Sequence, residues 1–76
     1  MDKLSKKTVD AMHQIAADRL SSKVEDVGFE VDYGKEEIRV IYGKFMPVVY
    51  HVNCAMDSVT GTLKDFARQF ILQVED

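Results

Sequence analysis

The spacing of apolar residues changes twice along this chain, and those changes constrain the fold more than any other feature. From about residue 3 to residue 22 the spacing is helical. On a wheel, Leu4, Val9, Ala11, Met12, Ile15, Ala16 and Leu20 gather on one half, and Lys3, Lys6, Lys7, Asp10, Gln14 and Asp18 on the other. From Val27 the period drops to two: Val27, Phe29, Val31 and Tyr33 alternate with Gly28, Glu30 and Asp32. Ile38, Val40 and Tyr42 then alternate with Glu37, Arg39 and Ile41, and Phe45 to Cys54 is a third run rich in β-branched and aromatic residues. Helical spacing returns near residue 57, where Val59, Leu63, Phe66, Phe70 and Val74 form a narrow stripe with Ala67 and Met56 beside it.

Local signals agree with this order. Asp2 or Ser5 can cap the first helix, and Asp57 or Ser58 the second. Gly34-Lys35-Glu36 and Gly43-Lys44 read as turns, because glycine takes positive φ without steric cost. Gly61 falls in the first turn of its helix, where it costs least. Arg19 breaks the first stripe. A long side chain near a helix end can lay its methylenes on the core and keep its charge in water, and a hairpin carboxylate is the alternative partner. The predicted fold class is α+β: a two-layer helix–strand–strand–strand–helix domain over residues 1–76. Its strands pair as an antiparallel three-stranded meander, and both helices lie on one face.

Composition narrows the function classes. Seventy-six residues at 46% hydrophobic and 30% charged suit one small folded domain and leave no room for a second. No stretch approaches the ~20 consecutive apolar residues of a membrane span, and no apolar segment of a secretory signal follows the N-terminus. A single cysteine, Cys54, excludes an internal disulfide framework and suits a reducing, cytoplasmic setting.

Charge is unevenly spread within the net −3. Residues 1–23 balance to +2, residues 24–38 to −5, and the remainder to zero. The acidic segment holds Glu25, Asp26, Glu30, Asp32, Glu36 and Glu37 against Lys35 alone. An acidic chain does not concentrate itself on phosphate backbones, although such a segment can attract a basic partner. The simpler account of the same run is a solvated hairpin face.

The reverse of the sheet is the informative surface. With both helices on one side, Glu30, Asp32, Arg39 and Ile41 face outward. On the third strand the even positions (Met46, Val48, Tyr50, Val52, Cys54) are the more apolar and are assigned to the core, which sends Phe45, Val49 and His51 to the open face. The reverse assignment exposes Val48, Tyr50 and Val52 instead and enlarges the patch. Pro47 cannot donate to a ladder and places that strand at an edge or a bulge. The expected partner-binding residues are therefore Arg39, Ile41, Phe45, Val49 and His51, contacting a second copy in a homodimer or another protein. Scattered apolar side chains of the ordinary kind are the alternative account.

Reactive side chains are few. His51, Cys54 and Asp57 lie close in sequence, and His13 could approach from the first helix, but one His-x-x-Cys is a weak metal or nucleophile signal. On a continuing strand His51 and Cys54 also point to opposite faces. Cys54 is expected to be a small buried hydrophobe and His13 a half-exposed surface residue. The stretch from Asp57 to Lys64 sets hydroxyls, a glycine and one lysine at a helix start, which capping explains without a ligand. No catalytic residue, cofactor or metal is expected.

The element order is similar to that of double-stranded-RNA-binding domains over nearly the whole chain. In that family a lysine cluster opens the second helix and a histidine sits in the loop between the first strands. Here the helix start offers Lys64 alone, and Gly34-Lys35-Glu36-Glu37 is acidic without histidine. The expected function is a small non-catalytic intracellular protein-interaction module. The alternatives are an acidic inhibitor or decoy that offers its 25–37 hairpin to a basic nucleic-acid enzyme, and an RNA-binding module using Lys3, Lys6, Lys7 and Lys64.

Overall fold

Ser5 opens the first helix: its Oγ accepts from the Thr8 amide at 3.3 Å and lies 3.0 Å from the Thr8 hydroxyl. A computed structural model describes residues 4–44, 46–52 and 58–75, so Asp2, the alternative cap, lies outside the described residues. Helix α1 spans Lys6–Arg19 and is followed by a short 3₁₀ turn, Val24–Asp26. Strands β1 (Gly28–Asp32), β2 (Glu37–Ile41) and β3 (Val48–His51) precede helix α2 (Val59–Glu75). The strands pair antiparallel in the order β1-β2-β3, which is the expected meander.

The end of α1 turns the chain toward the sheet. Ser21 adopts left-handed backbone at φ 52°, while the Ser22 amide donates to Ala17 O at 2.9 Å and the Ser21 amide to Asp18 O at 3.2 Å. That pair of bonds is the Schellman closure of a helix, built on serine where glycine is the usual residue. The β1–β2 turn corrects a detail of the sequence reading. Glu36, not Gly34, takes the positive φ (50°), and Asp32 Oδ1 accepts from the Lys35 amide at 3.0 Å to bend the chain. Gly43 does sit at positive φ, 56°.

Register sorts the side chains. Phe29, Val40 and Val48 form one row across the covered face, and Val31, Ile38 and Tyr50 the next. Both helices rest there. His13 of α1 stacks on Phe29 at 4.7 Å, while Phe66 of α2 meets Phe29 edge-on at 6.1 Å and Tyr50 at 5.2 Å. Met12, Ala16, Ile38, Phe66 and Phe70 are essentially inaccessible to water. The α2 stripe is rotated from its sequence expectation: Thr62 and Asp65 are buried with Phe66 and Phe70, whereas Val74 is 40% exposed. Rotation is tolerated because Thr62 Oγ1 donates to Ser58 O at 2.9 Å and Asp65 has two donors of its own. Leu63 and Ala67 then flank a groove between the helices with Ile15, Arg19 and Lys64. Arg19 is exposed on that groove, in keeping with a side chain lying over apolar neighbours.

Two stability measurements follow from this packing. Phe66→Ala removes the ring that touches both edge strands and should cost ~3–5 kcal/mol in urea unfolding. Ser21→Gly should raise stability by about 1 kcal/mol, because glycine accepts the left-handed conformation that serine holds at a cost. A Ser21→Gly chain with an unchanged or lower unfolding midpoint would contradict the strain assigned to this helix end.

Candidate interaction surface

The uncovered side of the sheet is a small grid. Gly28 lies opposite Ile41; Glu30, Arg39 and Val49 form a row; Asp32, Glu37 and His51 form the next. Arg39 and His51 are exposed, Ile41 is 36% exposed, and Val49 is half-buried. Four of the five sequence-predicted partner residues are therefore brought onto one surface. The fifth, Phe45, lies outside the described residues. The even residues of β3 that are described within the strand, Val48 and Tyr50, face the core as assigned.

This face carries more charge than grease. Ile41 and Val49 flank Arg39, and the acids Glu30, Asp32 and Glu37 occupy most of the remainder. Gly28 matters here for space: a Cβ at that position would come within 3.3 Å of both the Ile41 side chain and its carbonyl oxygen. Asp32 and Glu37 stand directly opposite each other, a like-charge pairing that costs stability on any sheet. Glu30, Asp32, Tyr33, Lys35, Glu37 and Arg39 border a shallow depression of about 430 Å³.

The acidic segment is split by the fold. Glu30, Asp32 and Glu37 share the open face, and Glu36 is exposed in the adjoining turn. Glu25 and Asp26 sit on the 3₁₀ turn at the opposite end of β1, so the six carboxylates do not form one hairpin surface.

Four side-chain hydrogen bonds at the sheet edges and in the core were not anticipated from the sequence. His13 is half-buried, and its Nε2 lies 2.7 Å from Val27 O; a carbonyl only accepts, so the ring nitrogen donates. Gln73 Nε2 donates to Val49 O at 2.9 Å, reaching from α2 over the outer edge of β3. Tyr50 Oη donates to Asp65 Oδ2 at 2.8 Å, and Arg68 donates to Asp65 Oδ1 at 3.2 Å. Asp65 is buried, so these two donors supply the hydrogen bonds that water no longer can. The only sequence trace of Tyr50–Asp65 is a carboxylate on the apolar side of a helix.

Among the described residues no group of three His, Cys, Asp or Glu side chains converges on a metal position. His51 is exposed on the open face, whereas Cys54 and Asp57 lie outside the described residues. Ser58 caps α2, its Oγ accepting from the Gly61 amide at 3.0 Å, and Lys64 is exposed near that helix start. Among the described residues no helix is long and apolar enough to cross a membrane. A separate apolar groove of about 390 Å³ opens at the far end of the core, between Tyr42, Met46 and Val48 on one side and Phe70 and Val74 on the other.

No family model, no curated protein and no solved structure matches this chain.

Tyr50→Phe is the variant that probes the buried polar pair. It keeps the ring packing against Phe66 and leaves Asp65 with Arg68 as its remaining donor, so the chain should lose ~1–3 kcal/mol. Urea unfolding of the variant beside wild type measures it, and a loss below the error of the fit would mean that the bond contributes nothing.

Proposed function

We propose that this chain is a small non-catalytic protein-interaction module that contacts a second protein chain, its own copy included, through the uncovered side of its sheet. The observation that carries the reading is the placement of both helices on the Phe29–Tyr50 side, which leaves Ile41 and Val49 beside Arg39 with no layer above them. Arginine is among the residue types enriched in protein contacts, and Ile41 and Val49 add apolar area beside it. The non-catalytic part rests on how the ionisable side chains are engaged: His13 holds Val27 O, and Asp65 is shared between Tyr50 and Arg68.

A second reading draws on the opposed pair Asp32 and Glu37 with Glu30 beside them. Such a surface suits a basic partner, as an inhibitor or decoy of a nucleic-acid enzyme would need. Binding of that kind weakens steeply with salt, whereas an Ile41–Val49 contact does not.

Val49→Asp tests the leading reading. If the sheet face joins two copies, wild type is dimeric by light scattering at micromolar concentration and the variant is monomeric with an unchanged circular dichroism spectrum. If a different protein binds there, the variant loses capture of that protein while both chains stay monomeric. A variant that keeps the wild-type assembly and partner would remove the sheet face from the contact.

A further inference from the structure

The register of the sheet determines which backbone groups are left over at its edges. Val52 N donates to Glu36 O at 2.9 Å, in line with the pairing of Ile38 with Tyr50 and Val40 with Val48. Hydrogen-bonded pairs alternate along an antiparallel ladder, so Ile38 and Val40 bond toward β3, and Glu37, Arg39 and Ile41 toward β1. On β1 the bonded residues are then Gly28, Glu30 and Asp32, and the amides and carbonyls of Phe29 and Val31 point away from the sheet. The bonds that His13 and Gln73 make to main chain agree with this phase, since Val27 O and Val49 O are both outward by the same count.

The two edges are treated differently. Pro47, which has no amide hydrogen, leads into β3, and Gln73 covers Val49 O. At β1 His13 covers the first outward carbonyl, but among the described residues nothing bonds to the backbone of Phe29 or Val31. Between Gly28 and Asp32 there is no proline, no lysine and no bulge, three devices that keep an edge from accepting another strand. The charges this short strand does carry, Glu30 and Asp32, repel an acidic strand and not a basic one. Phe29 and Val31 are also only half-buried, so the core is thinnest where that edge is open.

We propose that the outer edge of β1 accepts a further strand from a partner protein, an extended segment with cationic side chains at alternate positions. This rests on the protein-binding reading above and narrows it to one edge and one chemistry. Four outward backbone groups on Phe29 and Val31 supply the ladder, and apolar side chains of the added strand extend the cover over those two residues. Its intervening side chains fall on the open face beside Glu30 and Asp32, with Glu37 behind them. A second copy is the wrong occupant, because pairing β1 with itself sets Glu30 and Asp32 of one chain beside those of the other.

The full chain, labelled with ¹⁵N, is titrated with a capped eight-residue peptide of alternating lysine and valine. Amide exchange at Phe29 and Val31 is expected to slow at least tenfold, and methylation of the peptide nitrogens that face the protein should abolish binding. A peptide of alternating glutamate and valine should not bind, and the double variant Glu30→Lys, Asp32→Lys should weaken the lysine peptide at least tenfold. Methylated and unmethylated peptides of equal affinity would overturn the proposal, since the contact would then be charge alone. Absent binding, or binding without protection at Phe29 and Val31, would overturn it equally. Val49→Asp separates this edge from the sheet face: it should leave peptide binding intact, whether or not it alters self-association or partner capture.

Discussion

The Phe66 ring is the element on which the remaining packing depends. It lies against Phe29 at one edge of the sheet, Tyr50 at the other, and Phe70 on its own helix. The core of the described residues is one cluster, and a small chain buries a modest fraction of its surface. Seating that ring sets the rotation of α2, and the rotation carries Thr62 and Asp65 inward. Asp65 is tolerated because Tyr50 presents its hydroxyl there, so the polar pair is a consequence of the aromatic one.

Polar side chains finish what the short strands cannot. Each strand has four or five residues, and the edges of the sheet leave outward carbonyls that need partners. His13 and Gln73, one from each helix, supply two of them and tie the helices to opposite edges of the sheet. Layer contact and edge closure are therefore coupled. A shift of either helix would lose both packing against Phe29 or Tyr50 and a hydrogen bond to the main chain.

The uncovered face follows from the same arrangement. With both helices committed to one side, the other is left to the alternate residues of three strands, and these are mainly ionisable. Acids outnumber Arg39 around the hairpin end, which gives the surface a sign as well as a shape. The association proposed at this face would draw on Ile41 and Val49, and the one proposed at the β1 edge on backbone and on Glu30 and Asp32. Their different dependence on salt keeps the two separable.

The amino-acid sequence alone determined the order and type of the two helices and three strands, because the period of the apolar residues is set by backbone geometry. Alternation sorted β1 and β2 into inner and outer halves, whereas on β3 it offered two apolar sets, and packing against α2 decided for Val48 and Tyr50. What it could not determine are relations across long separations. The rotation of α2 that buries Asp65, the seating of His13 on Val27 and the reach of Gln73 to Val49 were decided by tertiary packing. The physical reason is range. Periodicity reports the environment averaged over a face, whereas a hydrogen bond between residues fourteen to twenty-four positions apart exists only once two faces have met.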